Sequence, residues 1–335
     1  MAVSSNTSDN TGFGLWRWFN NLERQQRSVV IAYLMIIVLV VLGSLLVTPN
    51  FASPTFLIKQ LQQASFLGII AAGQMAVILT GNIDLSVSWT LNLAAVLATS
   101  IAGGQDSGFI PGILVGLGVG VGVGLINGIG VAYLRIPSMV LTLGMNALLK
   151  GMIVVYNGSA PKFEQAPPLL SWFATEILGD IIPVAVLFWI VISIVNYVVL
   201  NRSALGRKTY AVGNNEVAAY LSGIKTRRVL VGAFVLSGVM NALAGLMIAG
   251  NAGRSFNEMG EPFLLPAIAA VVVGGTSILG GSGKYLGTVA GVILIRLLDS
   301  ALNIVQVPPA VRDITFGLVI LAMLFLYGRA EKARE

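Results

Sequence analysis

The sequence predicts an all-α polytopic membrane protein with about ten transmembrane helices and both termini on the cytoplasmic side. Three observations carry that prediction. Of 335 residues, 56% are hydrophobic and 10% are charged, with a mean hydropathy of +0.86, whereas a soluble domain is about a quarter charged. The apolar residues gather into ten runs, each near the roughly 20 residues that a helix needs to cross a hydrocarbon core about 30 Å thick. The basic residues fall mostly on one side of those runs.

Taken in order, residues 1–28 are polar apart from Phe13, Leu15, Trp16, Trp18, Phe19 and Leu22. They read as a cytoplasmic tail or as a short interfacial helix with its indole rings at headgroup level. No cleavable signal peptide fits, because the first apolar run begins late and exceeds an h-region of about 7–15 residues. Six runs follow at 29–47, 60–80, 85–102, 110–133, 138–157 and 179–200. A polar interruption over 201–228 separates them from four more at 229–249, 263–279, 284–304 and 311–328, and residues 329–335 form a second tail. The stretch from Ala64 to Ile101 is almost continuously apolar and, at about 1.5 Å per residue, too long for one crossing. Gly81, Asn82 and Asp84 must divide it.

With the N-terminus in the cytoplasm, that side collects Arg17, Arg24, Arg27, Arg135, Arg202, Arg207, Lys208, Lys225, Arg227, Arg228, Lys284, Arg329, Lys332 and Arg334. The outer side has Lys59, Lys162, Arg254 and Arg312, while Lys150 and Arg296 lie within spans. Fourteen against four is the positive-inside pattern, so the basic balance reports topology rather than nucleic-acid affinity. The outer loops Gly158 to Leu178 and Asn251 to Pro262 are larger than simple connections require and could receive a partner outside the membrane; ordinary linkage accounts for them equally well.

The chain has no cysteine and no histidine, which removes disulfides, thiol nucleophiles, Cys/His metal sites and histidine proton relays. Enzymatic chemistry and a metal site are therefore not expected. In GILVGLGVGVGVGLINGIG, Gly112, Gly116, Gly120, Gly124 and Gly128 recur every four residues. That spacing strips one helix face of side chains so that a neighbouring backbone can approach. GGSGKY has glycine and lysine in P-loop order, but Ile278 occupies the place of the first glycine and Tyr285 that of the magnesium-holding Ser/Thr. Energy from a nucleotide would have to come from another subunit.

ILTGNIDLSVSW places Asp84 at or just inside the membrane boundary, where an ionisable group is either functional or a cap of the following helix. Arg296 and Asp299 stand one turn apart and can pair, and Lys150 finds no partner by sequence reasoning. Gln74, Asn92, Asn127, Asn146 and Asn241 are polar side chains held within spans. Together with Asp84 they could line a substrate pathway, or they could simply hydrogen-bond between helices.

The interruption reads GRKTYAVGNNEVAAYLSGI from Gly206 to Ile224. Asn214 is a plausible N-cap, Glu216 complements a positive helix start and Gly223 stands where a C′ glycine belongs. Val217, Tyr220, Leu221 and Ile224 share one face at helical spacing, predicting a short helix against the membrane-facing protein surface. Ala218 and Ala219 keep part of it small enough for a second protein to pack close.

These segments resemble a known family. ILTGNIDLSVSW is similar to the I-x-T-G-G-I-D-L-S-V-G signature of the ribose/xylose/arabinose/galactose class of ABC-transporter permeases, with Asn82 and Ser88 in place of two glycines. The loop resembles that family's G-R-x-x-Y-A-x-G-x-N-x-x-A-A-x-x-S-G-I at Gly206, Arg207, Tyr210, Ala211, Gly213, Asn215, Ala218, Ala219, Ser222, Gly223 and Ile224, and VVVGGTSILGGSGKYLGTVAG is similar to its third block. The resemblance implies a permease subunit in the bacterial cytoplasmic membrane, paired with a second permease, driven by a cytoplasmic ATPase that holds ATP and magnesium, and supplied by a periplasmic sugar-binding protein. It also implies that the loop, with Glu216, Ala218, Ala219 and Tyr220 foremost, couples to the ATPase. An ion-coupled secondary transporter using Asp84, Lys150 or Asp299 is the rival reading of the charges alone.

Overall fold

The computed structural model describes residues 24–158 and 164–332. The interfacial helix considered for the N-terminal tail lies outside them, and the second tail begins within a helix described as far as Lys332. Among the described residues there are thirteen α-helices. Seven are long and apolar enough to cross a membrane: α1 (Arg24–Leu46), α2 (Pro54–Ile78), α4 (Phe109–Ala132), α5 (Ser138–Asn157), α7 (Val184–Arg202), α10 (Thr226–Ala252) and α12 (Tyr285–Ile304). Two apolar helices are shorter, α3 (Val87–Ala102) and α11 (Leu264–Val273). On one side lie α6 (Pro168–Thr175) and a hairpin of β1 (Ile177–Leu178) with β2 (Ile182–Pro183). On the other lie α8 (Ala204–Asn214) and α9 (Glu216–Leu221), and α13 (Pro309–Lys332) closes the chain.

The core forms around α2. Ser53 caps it by accepting from the Phe56 N–H, Pro54 supplies the preset first turn, and from Ala64 to Leu79 it is buried on all sides. It runs antiparallel to α10, since Gln63 donates to Asn251 at one end while Gly73 lies against Ser237 further along. A side chain at Gly73 would come within 2.8 Å of the Ser237 Cα, so the glycine sets this close crossing. The glycine row of α4 packs in the same way. A Cβ at Gly112 would meet the Ala98 carbonyl of α3 at 2.6 Å, and at Gly124 and Gly128 it would meet the α10 backbone at 2.5 and 2.7 Å. At Gly116 it would crowd the Ala94 carbonyl of α3 at 3.3 Å, and Gly120 faces the Gly238 carbonyl directly. Large apolar side chains of α1, α5 and α7 remain exposed, as a lipid-facing or partner-facing belt requires.

The eighth run departs from expectation. A continuous crossing over 263–279 is predicted, but α11 has 10 residues and is about 15 Å long, half the hydrocarbon thickness. Irregular backbone supplies the other half. From Ser255 to Gly260 the chain runs back down α3: Ser255 Oγ meets Thr99 Oγ1 at 2.8 Å, and Gly260 packs on the Ser88 carbonyl. Asn92, oriented with its amide nitrogen toward the Phe256 carbonyl (3.0 Å), takes the Glu258 N–H on its oxygen (2.9 Å). Non-helical backbone survives at this depth only because protein groups satisfy it. This loop, which the sequence leaves open to a partner or to ordinary linkage, buries Ser255, Met259 and Gly260 while Arg254, Glu258 and Glu261 stay exposed, and its first residues tie to the other large loop through the Ala166 N–H and the Gly253 carbonyl at 3.0 Å.

The division of the Ala64 to Ile101 stretch has the same character. After α2 the chain turns at Gly81, whose φ of +76° suits glycine, and continues without helix until Val87. It climbs beside the start of α5, with the Ile83 N–H on Ser138 Oγ (3.3 Å) and the Leu85 N–H on Thr142 Oγ1 (2.9 Å). A long helix, an irregular entry and a shortened helix therefore occur twice, as α2 with α3 and as α10 with α11. Because α2 and α10 are antiparallel, the two units are inverted relative to each other, the arrangement in which interrupted helices point to a translocation route.

Candidate functional site

The polar interruption forms two helices rather than one. Ser203 caps α8 by accepting from the Leu205 and Gly206 N–H groups, both at 3.1 Å. Asn215, extended at φ −162°, ends α8 and caps α9 by accepting from the Ala218 N–H at 2.9 Å. The predicted cap at Asn214 is corrected: Asn214 is the last residue of α8, and only the extended backbone of Asn215 aims a side chain at the free N–H groups of α9. Gly206 packs its α-carbon against the Val199 and Leu200 carbonyls at the corner between α7 and α8.

Three distant segments meet at the end of α8. Gly213 sits on the Leu79 carbonyl and on the Gly281 N–H, and that N–H itself donates to Leu79 at 3.0 Å. Tyr210 Oη donates to the Gly283 carbonyl at 2.9 Å, and burial pushes its hydroxyl pKa above the ordinary value of 10. The loop is thereby fixed both to the irregular entry after α2 and to the glycine-rich turn after α11.

The orientation of α9 reverses the prediction. Ala219 is the buried residue, packed with Ala132, Val212 and Leu230, while Val217, Tyr220 and Leu221 are 68%, 68% and 78% exposed. Only a small side chain fits the close approach to α4 and α10, so the large apolar groups face outward. Glu216 is held by Arg135, whose Nη1 lies 2.9 and 3.0 Å from its two oxygens, and by Thr226 Oγ1 at 3.3 Å. This pairing anchors α9 through a side chain that stays one-third exposed. Ala218 and Ser222 are exposed, Ser222 Oγ donating to the Ala218 carbonyl, and Gly223 turns the chain at φ +82°. Arg207 is exposed on α8. Beside α9 opens a groove of about 590 Å³ lined by Tyr133, Arg135, Tyr220, Lys225, Arg227 and Arg228 among others.

The polar residues proposed for a pathway are mostly interior. Gln74, Asp84, Asn92, Asn127 and Asn241 are each 2% exposed or less, so within this chain they face other helices. Asp84 Oδ1 accepts from the Ser86 N–H (2.9 Å) and Ser86 Oγ (2.6 Å), and Oδ2 accepts from Ser237 Oγ of α10 (2.8 Å). Asn127 Nδ2 donates to Ser86 Oγ at 2.9 Å, and Asn241 Nδ2 to Ser237 Oγ at 3.4 Å. Asp84 therefore ties the irregular entry to α4 and α10 and does not cap α3 through that helix's free N–H groups. Asn146 alone of the six is half-buried, accepting from Ser88 Oγ at 3.0 Å.

Sequence reasoning counts Glu261 only among the residues of the loop from Asn251 to Pro262 and misses its pairing with Lys150. Glu261 stands just before α11, at the start of the short apolar helix in the eighth run, and reaches Lys150 Nζ at 3.5 Å, with both side chains about half exposed. Its position after Gly260 and before an apolar helix was the available signal. Arg296 pairs with Asp299 at 2.7 Å as the spacing predicts, and Arg312 joins them at 3.2 Å.

An inverted pair of interrupted helices, locked to a short helix with an outward apolar face, fits a membrane permease subunit that works with a partner. The chain belongs to the family described as the permease component of branched-chain amino acid transport systems, whose model matches residues 56–324. It is similar to the ribose import permease protein RbsC of Bacillus subtilis, 36% identical over 88% of this chain and 91% of that one. It is 33% identical to RbsC of Escherichia coli K12, over 94% of this chain and 97% of that one. It also resembles the autoinducer 2 import system permease protein LsrC of Yersinia pseudotuberculosis, at 36% identity over 81% and 77%. No solved structure matches it. The chain is thus the transmembrane permease component of an ABC importer of the sugar-carrying kind, and a multi-pass membrane protein.

Proposed function

We propose that this chain crosses the bacterial cytoplasmic membrane ten times, with both termini in the cytoplasm, and forms a monosaccharide pathway together with a second permease. A periplasmic binding protein delivers the sugar and a cytoplasmic ATPase, which binds ATP and magnesium, drives alternating access. The relatives RbsC carry ribose in their names, so a pentose is the first substrate to test and autoinducer 2 the second.

The observation that carries this reading is the exposed apolar face of Val217, Tyr220 and Leu221 on α9. Such a cluster on a short cytoplasmic helix calls for a protein to cover it. A push on α9 reaches the membrane through three rigid links: Glu216 to Arg135 at the base of α5, Gly213 to Leu79, and Tyr210 to Gly283. The last two end on the irregular entry after α2 and on the turn after α11, so a push can move the two interrupted units as bodies. The sugar needs only transient polar contacts on the way, since tight binding slows release.

The test is uptake into proteoliposomes holding the permease, its ATPase and the binding protein. ATP-dependent accumulation of the sugar is expected. Uptake driven by a proton or sodium gradient with no ATPase present would refute the proposal and favour an ion-coupled secondary transporter.

A further inference from the structure

Lys150 lies twelve residues from the start of α5 and seven from its end, about 18 and 10 Å from the two ends of that helix. A lysine at such depth costs free energy unless it reaches water or a partner. Snorkelling to the outer surface is excluded by direction. Side chains tilt toward a helix N-terminus, which for α5 is the cytoplasmic end on the proposed topology. Nζ in fact sits 5.1 Å from the centre of the Trp89 ring, in the first turn of α3. The level is the membrane interior: one turn below Lys150, Asn146 accepts from Ser88 Oγ and from the Trp89 N–H.

Glu261 arrives at the same level from the unit of α10 and α11. The irregular segment carries the chain down α3 until Gly260 rests on the Ser88 carbonyl, and Glu261 follows immediately. Its carboxylate meets Lys150 Nζ at 3.5 Å, and the side chains are 50% and 46% exposed. An ion pair open on one side inside the bilayer cannot be facing lipid at equilibrium. It faces water or another protein. Further round α5, Gly144 and Gly151 would meet nothing if given a Cβ, so that surface too is uncovered within one chain.

We propose that Lys150 and Glu261 are sugar-contacting residues on the wall of the translocation route, at the face that this permease turns toward its second copy or partner permease. This deepens the proposed function and rests on it. The pair has no net charge, so it does not select for or against a neutral solute by charge. It offers ammonium donors and carboxylate acceptors side by side, which suits adjacent hydroxyl groups of a polyol. Because Lys150 stands on α5 and Glu261 at the head of α11, relative movement of these helices separates or joins them, and the contact to the sugar is made and released within one cycle.

The absence of cysteine makes the test direct. Lys150→Cys is the only thiol of this chain, so labelling is read on the permease band separated from the full transporter complex in native membranes, with Val191→Cys on the exposed apolar face of α7 as the lipid-facing control. A charged, membrane-impermeant thiosulfonate should label Lys150→Cys about a hundredfold faster than the control, because its charge keeps it out of hydrocarbon. Saturating sugar-loaded binding protein should slow that labelling in at least one nucleotide state. Separately, Lys150→Gln and Glu261→Gln should each lower uptake about tenfold, as for loss of a hydrogen bond to a charged group, and the exchange Lys150→Glu with Glu261→Lys should recover most of it. Labelling no faster than the control in every nucleotide state overturns the proposal. Labelling that sugar never slows, or normal uptake by both Gln variants, also overturns it. Labelling needs no turnover, so a complex that fails to transport would sink the importer reading while leaving the water access of Lys150 measurable.

Discussion

Replacing Gly213 by alanine adds one methyl group at the junction of three segments. The new Cβ would overlap the Leu79 carbonyl oxygen and lie 2.5 Å from the Gly281 N. Both are backbone atoms, joined to each other by the 3.0 Å hydrogen bond from Gly281 to Leu79, and neither can rotate away. The end of α8 must retreat by more than an ångström, which opens that junction and strains the Tyr210 bond to Gly283. Overpacking of this kind costs about 1–3 kcal/mol, and a lost hydrogen bond about 1 kcal/mol more. The penalty falls on the loop and leaves the buried contacts of α2, α4 and α10 in place. Gly213→Ala should therefore insert and purify as a folded permease, while sugar-stimulated ATP hydrolysis and uptake fall about tenfold or more, since about 1.4 kcal/mol is already tenfold in a two-state equilibrium. Gly118→Ala is the matched control, because nothing lies within 4 Å of its Cβ position. Hydrolysis and uptake equal to the control would refute the idea that α8 transmits movement through Gly213.

Tyr220→Ala and Leu221→Ala remove exposed side chains that touch little of their own chain, so thermal stability should hold while co-purification with the ATPase weakens; intact co-purification would place the ATPase elsewhere. Gly120→Leu drives a side chain into the Gly238 carbonyl and Ala242, and should abolish folded permease on size exclusion before any effect on coupling can be measured. Asp84→Asn turns an acceptor of three hydrogen bonds into a group with one donating end, and should destabilise by about 1–3 kcal/mol, read as a lowered Tm in detergent. An unchanged Tm would show that this carboxylate does not hold the irregular entry to α10.

Much was legible without tertiary structure because lipid transfer, capping and glycine packing are local. Ten apolar runs are apparent because burial in hydrocarbon sums residue by residue. The glycine row from Gly112 to Gly128 shows its face through spacing alone. The break near Gly81 and Asp84 was visible as polar and flexible residues in a run too long to cross once. The loop motif was visible too, down to its glycines at 206, 213 and 223.

What only the tertiary structure decided are contacts between residues far apart in the chain. Whether Asn214 or Asn215 caps α9 depended on which one the docking of α8 leaves extended. Which face of α9 turns outward depended on how close α4 and α10 come, and that admits Ala219 alone. Hydropathy suggests a helix over 263–279, but Asn92 of α3 satisfies the Phe256 carbonyl and the Glu258 N–H of an irregular segment, with Thr99 holding Ser255 and Gly260 packed on Ser88, and so permits a shorter helix. Lys150 appeared unpartnered because Glu261 is 111 positions away. The apolar pattern determined that the chain lies in a membrane; the pairing of its two inverted units determined where, inside that membrane, charge and irregular backbone can exist.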